Sequence, residues 1–179
     1  MALLRQALVL LAIGLGLASR AAAQTEPRAS ATDIKAAYVL NFARYVEWPP
    51  AAVGDSGTPL SVCVVESNVI EEALRRVAEG RVVRGRPVRV QVVRSSEEPV
   101  TCHVAYVDPS GLAVARSLQT AWADQAVLTV GEGEEFLASG GIIGFVMVEE
   151  TVRFAINQDA AHRAGLRVSS RVLALALPR

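Results

Sequence analysis

The stretch Leu60-Ser61-Val62-Cys63-Val64-Val65, followed by Asn68 and a helical run to Val77, decides the fold. A near-continuous apolar run rich in valine suits a strand buried on both faces, because a half-exposed strand would alternate. Asn68 can cap the helix, and Gly80 supplies the residue that closes it. The pattern then repeats downstream. Val82-Val83 and Val88–Val93 are β-branched runs broken by Gly85 and Pro87, and His103–Val107 is the next strand. Asp108-Pro109-Ser110-Gly111 turns into a helix reaching about Trp122, and Ala126–Val130 follows as an apolar strand. Strand, helix, strand, helix, strand predicts an α/β fold. The expected architecture is a single domain with a mostly parallel β-sheet flanked by helices, because right-handed crossovers lay the helices on its faces.

The flanks complete it. Upstream, Ile34, Tyr38, Phe42 and Tyr45 recur at helical spacing behind Thr32 as cap, and Trp48-Pro49-Pro50 stops the helix. Downstream, Ile142–Val148 and Thr151–Ile156 flank Glu149-Glu150 and predict a C-terminal β-hairpin at one sheet edge. Glu-Glu is unfavourable chemistry for a primed turn. Asp159–Ala164 reads as a short helix ended by Gly165. Ser169 or Ser170 can cap a last helix carrying Leu173, Leu175 and Leu177.

Ahead of the domain, Arg5, the apolar run Ala7–Ala18 and the small residues Ala21-Ala22-Ala23 form a secretory signal peptide over residues 1–23. Residues 24–30 read as a flexible leader and 31–179 as the domain. Export implies a periplasmic protein, with no direct membrane insertion of the mature chain, since no later stretch is long and apolar enough. The 18 basic and 18 acidic residues balance, and cleavage leaves a charge of −2 by removing Arg5 and Arg20. Without a basic field, no nucleic-acid partner is expected. Export to an oxidising compartment bears on the two cysteines, both on predicted strands. If strand order reverses after the first crossover, those strands are neighbours and Cys63 and Cys102 form a disulfide. Two buried thiols are the alternative.

No catalytic, cofactor or metal site emerges. Gly131-Glu132-Gly133-Glu134-Glu135-Phe136 lacks the third glycine of a dinucleotide loop, and its carboxylates would repel a pyrophosphate; it reads as the acidic start of a short helix. Cys102 and His103 are adjacent on a strand and point to opposite faces, so they cannot act as nucleophile and base together. Cys63, Cys102, His103 and His162 have no recognisable zinc spacing.

Two longer blocks carry a resemblance. Ile34-Lys35-Ala36-Ala37-Tyr38-Val39-Leu40-Asn41-Phe42-Ala43-Arg44-Tyr45-Val46-Glu47-Trp48-Pro49 resembles the opening motif of the YfiR family. Gly140–Phe145, Val152–Asn157 and Ala164–Leu173 resemble its C-terminal motifs, with Leu60–Val65, Gly85-Arg86-Pro87 and Cys102–Val107 between them, in order. Ala155 stands where the family often carries an acidic residue, and Glu149-Glu150 replaces a more usual turn. The resemblance implies a periplasmic regulator without catalytic activity. It would bind and repress the periplasmic sensory domain of an inner-membrane diguanylate cyclase, lowering cyclic di-GMP and, with it, biofilm and exopolysaccharide. It also implies a homodimer. An exported enzyme with an unrecognised site and a small-ligand-binding module are the rival classes.

The expected partner surface lies in the C-terminal third. Arg153, Asn157, Arg167, Ser169 and Ser170 are motif residues that packing alone does not demand, and Phe145 and Phe154 could add apolar contact area. Local roles compete for some of them: a serine can merely cap a helix, and Asn157 can merely end a strand.

Overall fold

The computed structural model describes residues 29–178 apart from 56, 68, 96–100 and 124; the expected signal peptide, most of the expected leader and the expected Asn68 cap fall outside the described residues. Helix α1 (Ala31–Tyr45) is followed by β1 (Val46–Glu47), α2 (Pro50–Val53), β2 (Leu60–Val65), α3 (Val69–Ala78), β3 (Val82–Val83) and β4 (Arg86–Val93). Then come β5 (Val104–Val107), a 3₁₀ turn at Pro109–Gly111, α4 (Leu112–Ala123), β6 (Leu128–Glu132) and α5 (Gly133–Ala138). The hairpin strands β7 (Ile143–Val148) and β8 (Thr151–Ile156), α6 (Gln158–Arg163), β9 (Arg167–Val168) and α7 (Ser170–Leu173) complete the chain.

Seven strands form a mixed sheet in the order β3-β4-β2-β5-β6-β7-β8, whose five inner strands are parallel. The antiparallel strands β3 and β8 close its two edges. Chain direction across the sheet reverses beside β2, as in doubly wound folds, so the crossover helix made before the reversal lies on one face and those made after it lie on the other. The larger core, with Phe42, Val62, Leu74, Leu128 and Phe145, lies under α1 and α3. The smaller one, with Cys63, Ala105, Leu118, Trp122 and Phe136, lies under α4 and α5.

Several sequence expectations shift by a few residues, each for a local reason. Ser30, not Thr32, caps α1: its Oγ accepts the Asp33 N–H at 3.1 Å, so Thr32 already sits inside the first turn. The helix ends at Tyr45 rather than at the prolines, because Val46 and Glu47 leave it to pair with Val168 and Arg167. The sixth strand starts at Leu128, after a turn through Ala126 (φ 53°), and runs on through Gly131 and Glu132. Those two residues therefore belong to the strand, and the acidic helix begins at Gly133. The final helix stops at Leu173. Leu177 instead donates its N–H to the Phe154 carbonyl and bridges Ala155 on the outer side of β8.

Cys63 and Cys102 form the disulfide, with Cα atoms 5.7 Å apart. It joins β2 to the segment entering β5, and both residues are buried in the smaller core. His103, buried next to it, prolongs the parallel ladder. Its main chain donates to the Ser61 carbonyl and accepts from Leu128, and its Nδ1 accepts the Ser61 N–H at 3.0 Å. Desolvation holds its pKa below the ordinary histidine value, with the charge of Arg86 acting the same way against a hydrogen bond to the Ala52 backbone. A lowered folded-state pKa means the unfolded chain binds more protons, so this contribution is intact above about pH 6.5 and lost as pH falls below it. The expected slope is up to about 1.4 kcal/mol per pH unit. Urea midpoints between pH 7.5 and 5.5 measure it, and His103→Asn, which can still accept the Ser61 N–H, should flatten it.

Candidate functional site

Helix α1 exposes Asn41 and Arg44 and buries Ala36, Val39, Leu40, Phe42 and Ala43. Phe42 meets Phe154 edge-on at 4.9 Å and Phe145 at 5.9 Å, and Tyr38 lies 5.5 Å from Phe154. These rings pin the β7–β8 hairpin to the helix. Phe145 and Phe154 are 1% and 2% exposed, so the structure corrects their expected role. They are a cross-strand pair on the core face, and apolar contact area for a partner has to come from elsewhere.

The hairpin tip carries exposed apolar side chains. Met147 and Val148 are 50% and 39% exposed, directly before the turn. Glu149 (φ 45°) and Glu150 (φ 61°) both adopt left-handed backbone, so the two-residue turn has the primed geometry that the sequence disfavours. Non-glycine residues pay about 1–2 kcal/mol each for that conformation. Strain of this kind collects at functional positions. Arg153 lies opposite Val146 on β8, exposed, on the same strand face as Val148 and Thr151.

One polar cluster ties α1 to this end of the sheet. The Glu132 carboxylate at the end of β6 accepts Lys35 Nζ at 2.8 Å on one oxygen and the Tyr106 hydroxyl on the other. Burial and the neighbouring carboxylate push the Tyr106 phenol well above its ordinary range, so it stays a donor. Glu132 is the partner of Phe145 in the ladder, which puts the first turn of α1, with the half-exposed Ile34, at the same end of the molecule as Met147. Sequence reasoning missed this cluster because Glu132 read as part of a helix start.

The other expected contact residues do not gather there. Asn157 is the N-cap of α6, its Oδ1 accepting the Ala160 N–H at 3.0 Å. Ser169 caps α7 by accepting the Arg171 N–H at 3.3 Å. Ser170 and Arg167 are exposed, and Arg167 pairs with Glu47 in the β1–β9 ribbon. That ribbon lies beyond the C-terminal end of α1, opposite to the hairpin tip. Arg153 and Arg167 therefore occupy two different surfaces, although the sequence groups them as one.

Among the described residues no helix is long and apolar enough to cross a membrane, and no group of three or more His, Cys, Asp or Glu side chains is placed to hold a metal ion. No curated protein matches the sequence. A protein-family model described as YfiR/HmsC-like matches residues 32–177, from the first turn of α1 to the strand-like residue that covers β8, and the chain belongs to that family.

Proposed function

We propose that the protein is a periplasmic, non-enzymatic regulator. It binds and represses the periplasmic sensory domain of an inner-membrane diguanylate cyclase, lowering cyclic di-GMP and biofilm output. Family membership across residues 32–177 supports the class of activity. The observation that carries a docking role is the hairpin tip, where exposed Met147 and Val148 adjoin a strained, doubly acidic turn and the exposed Arg153. Exposed apolar side chains rimmed by charge suit a protein partner. Export through the 1–23 signal peptide, with the leader 24–30 ahead of the domain, belongs to the same proposal. Deleting the chain in its native host should raise cyclic di-GMP, and supplying it with an intact signal peptide should restore the low level. A deletion that leaves cyclic di-GMP unchanged, with the cyclase expressed, would sink the reading.

The regulator is proposed to act as a homodimer, and β4 supplies the supporting observation. The two-residue β3 covers only its first turns, ending with the Val88 N–H donated to the Arg81 carbonyl. Beyond it, Val90 and Val92 present their main chain to the open edge, where among the described residues only the Arg75 guanidinium reaches the Val90 carbonyl, at 3.2 Å. Antiparallel pairing of two copies about Val92, clear of the Val88 N–H already donated to Arg81, would set Val90 against Arg94 and Gln91 against Val93, with no like charges opposed. Val90→Pro removes only an outward donor. Light scattering should then give twice the chain mass for the wild type and a single-chain mass for this variant; a monomeric wild type at micromolar concentration overturns the dimer.

A further inference from the structure

The face of the sheet away from α1 carries a hollow that the partner reading does not use. Small side chains make it: Ala115 on α4, Ala160 on α6, Ala164 at its C-terminal cap, and Gly140-Gly141 before β7 leave a cavity of about 130 Å³ where larger residues would have filled the space. Phe136 is held flat at its edge by two glycines. A Cβ on Gly141 would stand 2.3 Å from the ring and one on Gly131 would stand 2.7 Å from it, so neither position admits a side chain without pushing Phe136 into the hollow. Trp122, buried on α4, lines it as well. The volume is close to that of a dry apolar cavity that accepts a single benzene ring, about 150 Å³.

Thr129 and Ser139 add neutral polar groups to the lining, but charge is one-sided. Arg116 is the only charged residue lining the cavity, and it is exposed with no ion pair among the described residues. A ring sandwiched near Trp122 and Phe136 gains aromatic contact, while a planar guanidinium at the mouth selects a planar anion and can bind it in two places. We propose that this cavity is a binding site for a single-ring aromatic carboxylate, with the ring inside and the carboxylate on Arg116. The site is separate from the hairpin tip, so it stands or falls independently of the cyclase reading.

Benzoate is the probe, with benzyl alcohol and benzylamine as neutral and cationic counterparts. Intermolecular NOEs from benzoate to the Trp122 indole and the Phe136 ring, and a rise in melting temperature that scales with concentration up to roughly 10 mM, are expected for the full mature chain. Benzylamine should bind more weakly than benzoate. Arg116→Ala should weaken benzoate by about tenfold and leave benzyl alcohol unchanged, the signature of a lost charge-assisted pair. Ala115→Leu and Ala164→Leu each fill the hollow from a different segment and should abolish binding of all three probes, with circular dichroism confirming the fold of each. No NOE or thermal shift with benzoate on the wild type overturns the site. Equal affinity for the three probes, or benzoate binding that survives both filling substitutions, overturns the assignment of ligand class and of place.

Discussion

Replacing Cys63 and Cys102 together by alanine should lower the melting temperature by roughly 8–16 °C. The bond closes a loop of 39 residues between β2 and the entry to β5. In the chain-entropy model, a closed loop of that length restricts the unfolded ensemble by about 4 kcal/mol. For a domain of this size each kcal/mol moves the midpoint by about 2–4 °C. Alanine is the proper replacement, because a serine hydroxyl in this apolar core would add a desolvation cost unrelated to the cross-link. Both cysteines are almost fully buried, 0% and 2% exposed, so reductant should reach the bond only through opening of the fold. Reduction under native conditions should therefore be slow and should accelerate with urea. A double-alanine protein melting within about 2 °C of the wild type would contradict the entropy account. Two free thiols in non-reduced, denatured protein would contradict the bond itself.

That bond was legible in the sequence because it needed only two inferences, export and a reversal of strand order, and the sheet supplies the second. The parallel strands and the hairpin were legible for a related reason. Runs such as Leu60–Val65 and Val104–Val107 are buried on both faces and carry a continuous apolar signal. The β1–β9 ribbon was not legible, since two residues at each end of the domain have no periodicity and pair across most of its length. The Lys35–Glu132–Tyr106 cluster was hidden for the same cause: three polar residues from α1, β5 and β6 meet only once the sheet is assembled. For the expected partner surface, the structure shows only where the named side chains lie, and it does not group them as the sequence does. Phe145 and Phe154 face each other on the core face, whereas Arg153 on the next rung, opposite Val146, turns outward, and period two alone could not say which face α1 covers. Asn157 and Ser169 answer to helix ends instead.

The separation of the two arginines yields the sharpest test of the docking surface. On the proposed function, Arg153→Glu should abolish repression of the cyclase, because it reverses a charge beside the exposed Met147-Val148 tip and adds a third carboxylate next to Glu149 and Glu150. Arg167→Glu, at the β1–β9 end, should leave repression near the wild-type level. Neither arginine makes an ion pair among the described residues and both are exposed, so each melting temperature should stay close to that of the wild type; exposed positions of this kind usually move stability by less than about 0.5 kcal/mol. Charge reversal at the centre of an interface typically costs several kcal/mol, roughly a hundredfold or more in affinity. Cyclic di-GMP measured in cells carrying each variant reads the outcome, with binding of purified chain to the cyclase sensory domain as the direct measure. If Arg167→Glu releases the cyclase and Arg153→Glu does not, the working surface is the ribbon at the far end of α1, and the strained acidic turn has some other cause. Because the two substitutions are chemically identical and differ only in place, position alone can account for a difference between them.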